Sequence, residues 1–283
     1  MTIRRTWSFR GRRLVLEGGP CLMGVLNVTP DSFHDGGRYD TVECAARRAI
    51  EMEREGASIV DVGGESSRPG AAPVDAAEEI RRVVPVLRRI RAGSDVPLSV
   101  DTRKPEVADA ALAAGADIVN DISGLSNPLM IDVAARHRAG VVVMHMRGEP
   151  GTMQQAPAYE DVVGEVRAFL AARVDAAVAG GVPEDAIAVD PGIGFGKTVG
   201  HNLALLAALD RLRLRDRTLV VGVSRKSLLG AITGRPVEGR LAASLGALAY
   251  LASAGADVVR VHDVAESCDV VRVLHTLKRA GTA

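Results

Sequence analysis

The chain has 283 residues, of which 47% are hydrophobic and 25% are charged, and this composition excludes an intrinsically disordered protein. Its 35 lysines and arginines balance 35 aspartates and glutamates, so it lacks the basic excess that attracts nucleic acid or an anionic membrane. The length and the uniform pattern predict one domain over residues 1–283, with small molecules as partners.

The N-terminal residues are basic but lack the apolar segment of a secretory signal, and no stretch is rich enough in Leu, Ile and Val to span a membrane. We therefore expect the protein to reside in the cytoplasm. Cys21, Cys44 and Cys268 lie far apart and share no metal-binding spacing with histidine, so neither a disulfide framework nor a zinc site is indicated.

The first predicted element is a short β-hairpin within residues 1–20. Residues 6–9 and 12–17 have the pattern of two strands, and Gly11 provides the turn between them. Because the hairpin precedes the first repeating unit, we expect it to plug the floor of the domain, and we assign it no chemistry.

Eight units follow, each a short apolar run and then a segment of helical length and pattern. The predicted strands cover residues 22–28, 58–63, 97–101, 117–121, 140–146, 187–190, 218–224 and 257–262. The predicted helices cover residues 41–55, 76–91, 105–114, 127–138, 159–179, 202–213, 241–253 and 264–279.

This alternation predicts the fold class. Apolar strands separated by helices form parallel sheets, and a count of eight favours a closed (β/α)8 TIM barrel. An open, doubly wound sheet is the alternative, but no Gly-x-Gly-x-x-Gly motif follows the first strand.

The uncharged segment 241–256 has small side chains and is expected to form part of a homodimer face. Left-handed glycines are expected near five helix ends, at Gly56, Gly115, Gly140, Gly181 and Gly255.

Polar residues end nearly every predicted strand. In a barrel the carboxyl ends of parallel strands share one rim, and barrel enzymes place their active sites there. A single polar ending is more often a cap, which is the interpretation we give to Asp121, but eight together predict a site. They are Asn27, Asp61, Asp101, Asn120, His145, Asp190, Arg225 with Lys226, and Arg260 with His262.

Arg260 and His262 lie two residues apart, so their side chains leave the same side of the last strand. Together they predict an anion clamp. The alternative is an arginine paired with a helix end beside a structural histidine.

Acceptors dominate the rest of the rim. The carboxylates of Asp61, Asp101 and Asp190 only accept hydrogen bonds, so with Asn120 they suit a ligand with several ring N–H or amino donors. Direct coordination of Mg²⁺ is the rival use, whereas no histidine-rich pattern supports a transition-metal site. Lys226 suits a Schiff base or a hydrogen bond to the ring, and its charged neighbours favour the hydrogen bond.

Glycine-rich loops follow three strands, at residues 35–37, 63–70 and 192–197. The last loop is not a P-loop, because that motif would need glycine where Pro191 stands. Its glycines are expected to let the backbone approach a flat ligand on which Phe195 stacks.

Six segments, in order along the chain, resemble dihydropteroate synthase. The resemblance spans roughly residues 22–264. The segments are 23–37 (MGVLNVTPDSFHDGG), 56–70 (GASIVDVGGESSRPG), 99–107 (SVDTRKPEV), 190–197 (DPGIGFGK), 223–227 (VSRKS) and 260–264 (RVHDV).

The resemblance implies an enzyme of folate biosynthesis that joins a pterin methyl diphosphate to p-aminobenzoate, releasing diphosphate, with Mg²⁺ assisting. It implies that Asp101, Asn120, Asp190 and Lys226 hold the pterin ring. Met144, Phe195 and Gly222 would lie against the same ring.

The same resemblance implies a diphosphate end with Asn27 at Mg²⁺ and with Arg260 and His262 on the phosphates. Loops 29–40 and 65–72 would close over the substrates, and Ser67, Arg68 and Pro69 would border the p-aminobenzoate pocket. The catalytic task would fall to Arg260, His262, Lys226, Arg68 and Asp101. The aryl amine attacks as a neutral nucleophile, so no strong base is required.

Two other functions remain possible at this point. A pterin-dependent methyltransferase barrel shares the ring contacts but has no use for a diphosphate clamp. A non-catalytic pterin-binding paralogue would have lost loop or clamp residues, which this sequence retains. His34 and Ser67 depart from the family's common Ser and Thr, which leaves loop closure and the response to sulfonamides open.

Overall fold

The computed structural model describes residues 5–29, 38–66, 73–214 and 217–280, with the backbone alone for residues 38–40. Two strands, β1 (Arg5–Phe9) and β2 (Arg12–Leu16), form an antiparallel hairpin. Eight parallel strands then close a barrel in chain order, with the last strand paired to the first. They are β3 (Cys21–Asn27), β4 (Ile59–Gly63), β5 (Leu98–Asp101), β6 (Ile118–Asp121), β7 (Gly140–Met144), β8 (Ile187–Asp190), β9 (Thr218–Gly222) and β10 (Val258–Val261).

Helices surround the barrel and confirm the predicted (β/α)8 architecture. They are α1 (Arg38–Glu55), α2 (Ala76–Arg91), α3 (Pro105–Ala113), α4 (Pro128–His137), α5 (Val162–Ala179), α6 (Val199–Ala207), α7 (Leu209–Leu212), α8 (Ser227–Thr233), α9 (Leu241–Ser253) and α10 (Val264–Ala280). In the ranges that the structure describes, none of these helices is long and apolar enough to cross a membrane.

The boundaries differ from prediction where local hydrogen bonds decide them. The helix predicted at 202–213 begins at Val199, because Thr198 and His201 form a reciprocal capping box. It breaks at Ala208 into α6 and α7. The helix α8 was not predicted, because seven residues are too few to establish a helical period.

Four of the five predicted left-handed glycines are confirmed, with φ of 112° at Gly56, 111° at Gly115, 92° at Gly181 and 87° at Gly255. The prediction for Gly140 was wrong. Arg138 takes the left-handed position after α4, with φ of 51°, and Gly140 begins β7. A Cβ at Gly140 would lie 3.0 Å from the Cβ of Phe9, so glycine serves the packing of the hairpin there.

The hairpin plugs the floor of the barrel, as predicted. Trp7 and Phe9 are buried and pack edge to face with ring centroids 5.5 Å apart, in a cluster that includes Met23 and Ile118 from the barrel strands. The Trp7 indole donates a hydrogen bond of 2.9 Å to the Ala186 carbonyl. The floor is therefore closed by side chains, and the carboxyl end of the barrel is left for chemistry.

Two buried aspartates fasten the hairpin to this floor. Asp117 pairs with Arg12 at 3.5 Å, and Asp257 pairs with Arg5 at 3.0 Å. Each carboxylate also accepts a backbone N–H of a neighbouring strand, so its burial is compensated.

Candidate active site

Asp61 is the centre of a hydrogen-bonded cluster at the carboxyl ends of the strands. Its Oδ2 accepts hydrogen bonds from Arg260 Nε at 2.6 Å and from Asn120 Nδ2 at 3.0 Å. Arg260 Nη2 in turn donates to Asp101 Oδ2 at 2.8 Å. Side chains of β4, β5, β6 and β10 therefore meet, and Asp61, to which the family resemblance assigned no role, joins them. Its other oxygen, Oδ1, is buried and has no hydrogen-bond partner among the described residues.

Arg260 is held by carboxylates of the rim and not by a helix end, which was the alternative to the anion clamp. Burial alone would lower the pKa of Arg260, but the charges of Asp61 and Asp101 raise it above its ordinary value. A guanidinium has five N–H donors, and these two carboxylates use two of them. The arrangement is a permanent cation with donors left for an anion.

Asp101 lies beside Arg260 in an environment that favours its neutral form. Burial raises the pKa of Asp101 to about 7, the charge of Arg260 opposes the shift, and the charge of Asp61 adds to it. Near neutral pH the carboxyl can therefore either accept a hydrogen bond or donate one.

Lys226 follows β9 and lies at the N-terminus of α8. Its Nζ donates to the Ile193 carbonyl at 2.5 Å and lies 4.8 Å from the centroid of the Phe195 ring. Burial lowers the pKa of Lys226 to about 8, while the charge of Asp190 opposes this shift. At neutral pH the amine is therefore still mostly an ammonium, which favours a hydrogen-bond donor over a Schiff base.

Asp190 ends β8 and directs its Oδ1 to the N–H of Gly192, at 2.7 Å. Burial raises the pKa of Asp190, and the charge of Lys226 opposes that shift. Met144, the last residue of β7, is buried and in register with Asp190. A Cβ at Gly222 would lie 3.6 Å from both Lys226 Nζ and the Cβ of Arg260, so this glycine keeps the space between the two cations open.

His262 stands just beyond β10, and its Nδ1 lies 3.0 Å from the hydroxyl oxygen of Ser224. Ser224 was missed from the sequence, although it follows β9 as polar residues follow the other strands. The next residue, Asp263, accepts a hydrogen bond of 3.0 Å from Arg225 Nε. The ends of β9 and β10, which carry Lys226 and His262, are thereby fastened together.

His145 follows β7, which ends two residues earlier than predicted, at Met144. It is buried against Lys197, whose Nζ lies 2.9 Å from His145 Nδ1. An ammonium can only donate, so the ring proton of neutral His145 is assigned to Nε2. Burial lowers the pKa of His145 to about 3, and the positive charge of Lys197 adds to the shift. His145 is therefore neutral at physiological pH.

Asn27 ends β3 beside β4. A Cβ at Gly63 would lie 3.7 Å from Asn27 Oδ1 and 3.9 Å from Asp101 Oδ2, so glycine leaves a gap between these two oxygens. Among the described residues no cluster of three His, Cys, Asp or Glu side chains could hold a metal ion. A neutral amide oxygen beside a gap suits Mg²⁺ that keeps waters and is bound mainly by substrate phosphates.

A cleft of about 210 Å³ opens beside Asp101, and Glu65, Arg103 and Glu149 also line it. Glu65 accepts hydrogen bonds from Lys104 Nζ at 2.7 Å and from the N–H of Val74 at 3.0 Å. Sequence reasoning missed this Lys104 contact. Ser67, Arg68 and Pro69 lie outside the described residues, as does most of the first predicted loop.

Comparison with known proteins identifies the family. A family model described as pterin binding enzyme matches residues 23–262. A dihydropteroate synthase of Synechocystis sp. is 45% identical over 260 residues, which cover 91% of this chain and 90% of the relative. The chain belongs to the dihydropteroate synthase family.

Solved structures agree with this membership. Dihydropteroate synthase of Xanthomonas albilineans, solved with 4-aminobenzoic acid, has a TM-score of 0.91 and 45% identity, with 97% of this chain and 98% of that chain covered. The synthase of Burkholderia cenocepacia, complexed with 7,8-dihydropteroate, has a TM-score of 0.89 and 44% identity, with 100% and 99% covered. The predicted family, fold and enzyme class are confirmed.

Proposed function

We propose that this dihydropteroate synthase-family enzyme condenses 6-hydroxymethyl-7,8-dihydropterin diphosphate with p-aminobenzoate at the rim cluster of Asp61, Asp101, Asn120 and Arg260. The observation that carries the proposal is the hydrogen-bonded link from Arg260 to Asp101, because it joins an anion-binding cation to a ring-binding carboxyl. A single ligand that contains a flat, donor-rich ring and a polyanion would contact Asp101 through its ring and Arg260 through its anion.

The ring end of the proposed site comprises Asp101, Asn120, Asp190 and Lys226. Carboxyl and amide groups accept from the amino and ring N–H groups of a pterin, while the Lys226 ammonium donates to its carbonyl oxygen or ring nitrogen. Met144 and Phe195 supply apolar surface, and Gly222 leaves room for the ring. The buried position of Asp190 supports this assignment, since an acceptor removed from water discriminates strongly for a matching donor.

The diphosphate end comprises Arg260 and His262. The bond between the pterin methylene carbon and the diphosphate oxygen breaks with its electron pair moving to that oxygen, so negative charge grows on the leaving group. The fixed charge of Arg260, with a hydrogen bond from His262, would stabilise the transition state without reorganising. Arg68 would add a further cation, and with Ser67 and Pro69 it would border the p-aminobenzoate.

The new bond forms between the amine nitrogen of p-aminobenzoate and the methylene carbon. The nitrogen donates its lone pair as a neutral nucleophile and then loses a proton to water or to the departing diphosphate. No residue need act as a strong base. This agrees with the contact of His145, the histidine that follows β7, whose Nδ1 already lies 2.9 Å from Lys197 Nζ.

Mg²⁺ is the proposed metal, with Asn27 as its protein ligand. When bound to a diphosphate, Mg²⁺ neutralises phosphate charge. Asn27 would orient that complex towards Arg260, and glycine at position 63 leaves the side of Asn27 Oδ1 that faces Asp101 uncovered by a side chain.

One assay separates the synthase from the other two candidate functions. Purified protein is given the pterin diphosphate and Mg²⁺, and diphosphate release is followed with and without p-aminobenzoate. A synthase releases diphosphate only when p-aminobenzoate is present. A pterin-dependent methyltransferase and a non-catalytic pterin-binding paralogue both release no diphosphate. The absence of diphosphate release would therefore overturn the proposal.

A homodimer formed through α9 and α10 is proposed as the assembly. These two helices pack on each other and expose Tyr250, Val273 and Leu277, with 49%, 57% and 64% of their surfaces accessible. We expect sedimentation to give twice the chain mass for the wild type. The Leu277→Glu variant should sediment as a monomer, and a monomeric wild type would contradict the proposal.

A further inference from the structure

Lys197 is a buried lysine for which the proposed reaction has no task. Only 3% of its surface is accessible. Its Nζ lies 2.9 Å from the carbonyl oxygens of Gly192 and Phe195 and 3.3 Å from that of His145, besides the contact with His145 Nδ1. Its hydrogen-bond partners are thus three backbone carbonyls and one imidazole. The dipoles that converge on the ammonium offset part of the cost of burying its charge, although burial still lowers the pKa of Lys197 to about 7.

These contacts join two segments of the rim. Gly192 and Phe195 belong to the loop after β8, whereas His145 follows β7. The loop lies so close to its neighbour that a Cβ at Gly192 would be 1.8 Å from the His145 carbonyl oxygen. At φ of 67° this position also favours glycine. No side chain fits between the two backbones there, and the Lys197 ammonium binds the carbonyls of both.

Other residues also hold this loop, and among them Asp190 Oδ1 accepts from the N–H of Gly192 at 2.7 Å. Asn202 Oδ1 accepts from the N–H of Gly194 at 2.7 Å, and Tyr159 donates to the Gly196 carbonyl at 2.9 Å. Lys197 adds hydrogen bonds to the carbonyl of Gly192, the residue before Ile193, and to that of Phe195 itself, and it links both to the His145 carbonyl. Its attachments therefore flank the two groups that face Lys226.

Those two groups are the Ile193 carbonyl and the Phe195 ring. Lys226 Nζ donates to the first and lies over the second. A shift of the loop would move both partners of Lys226 together. Phe195 would then lose its proposed position against the pterin ring, although Lys197 itself is almost completely buried.

We propose that Lys197 is a positioning residue, which fixes the Ile193 carbonyl and the Phe195 ring against Lys226 and thereby sets the affinity for the pterin ring. The inference rests on the proposed assignment of Lys226 and Phe195 to that ring. It assigns a task to the one charged residue of the loop after β8.

The test compares two probes on folded protein, 6-hydroxymethylpterin for the ring end and inorganic pyrophosphate for the anion end, each by calorimetry. In Lys197→Met the side chain keeps its length but loses its donors. We expect pterin affinity to fall about tenfold or more, as for buried hydrogen bonds lost, while pyrophosphate affinity stays within about twofold. Lys278→Met is the matched control, because Lys278 Nζ also donates to a carbonyl, that of Ala252, on the outer surface.

Each result has a consequence. Unchanged pterin affinity in folded Lys197→Met, or an equal loss for both probes, would overturn the inference. Should Lys197→Met not fold, Lys197→Gln, which keeps two donors, is measured with the same expectations, and failure of both to fold would make Lys197 a folding residue. A wild type that does not bind 6-hydroxymethylpterin would instead refute the proposed function.

Discussion

Asp61 Oδ2 and Arg260 Nε are joined by a hydrogen bond of 2.6 Å, although 199 positions separate the two residues along the chain. The bond orients the guanidinium across the mouth of the barrel, between the ring end and the diphosphate end of the proposed site. Its removal should therefore change catalysis as well as stability.

The Asp61→Asn variant should lower kcat/KM by about 10- to 100-fold and the free energy of unfolding by about 1–3 kcal/mol, because a buried charge loses its partner. Asp117→Asn is the matched control, since Asp117 is also a buried aspartate and is paired with arginines at the opposite end of the barrel. It should lose similar stability and keep its kcat/KM. Steady-state kinetics and urea unfolding of both variants check this, and an equal loss of activity in the two would contradict it.

Arg260→Ala should lower kcat by about 10²- to 10³-fold, because fixed cations act mainly on the charge that develops on the leaving group. The affinity for 6-hydroxymethylpterin, which has no diphosphate, should stay within about tenfold of the wild type. Steady-state kinetics and calorimetry measure the two effects separately. Near-normal turnover in this variant is the result that would remove Arg260 from the diphosphate end.

Asp190→Asn should weaken pterin binding by about 1.5–3 kcal/mol if a charge-assisted hydrogen bond to the ring is lost. The amide oxygen can still accept from Gly192, so the local loop should keep its conformation. Asp121→Asn serves as control, because Asp121 accepts from the backbone of Ser123 and Leu125 as the predicted cap and makes no proposed ligand contact. Equal pterin affinity of wild type and Asp190→Asn, measured by calorimetry, would contradict the assignment.

The depressed pKa of His145 makes stability depend on acidity. In the unfolded chain this histidine takes up a proton near pH 6.5, whereas in the folded protein it stays neutral until about pH 3. Between these values the unfolded state binds more protons, so stability falls as the pH falls, by up to about 1.4 kcal/mol per pH unit.

His145→Gln should therefore show a shallower loss of stability between pH 6.5 and pH 4.5 than the wild type. Lys197, with a pKa lowered to about 7 by burial, is protonated in both states over most of this window and adds little slope. Urea unfolding at several pH values measures the difference, with the exposed His275→Asn as control. Parallel curves for the wild type and His145→Gln would show that His145 gains its proton in the folded state.

The fold was predictable because its signals are local and repeated. Short apolar runs and helical periods recur eight times, and left-handed glycines follow four of the helices, so an error at one boundary leaves the architecture unchanged. Gly140 shows where such a rule fails. The nearby Arg138 adopts the left-handed conformation instead. Glycine is needed at position 140 because it packs closely against Phe9, which lies 131 positions earlier in the chain, and no local pattern reveals this contact.

The candidate site was predictable as a set of strand endings but not as a set of contacts. Asp61 and Arg260 could each be placed on the rim, yet their bond depends on how the barrel closes. The contacts of Lys197 were harder to predict, because in the sequence this residue resembles the end of a phosphate-binding loop. Its partners are backbone carbonyls, which every residue has, so no residue type marks them.

Arg5 and Asp257, which fasten the hairpin to the floor, come from nearly opposite ends of the chain. During synthesis the hairpin is made first, and its partner emerges roughly 12–50 s later at ordinary rates of translation. β3 likewise cannot complete its strand pairing until β10 has been translated. A ribosome-bound chain therefore leaves one edge of β3 unpaired until almost the last strand has been translated, and an unpaired strand edge is a site of aggregation during this interval.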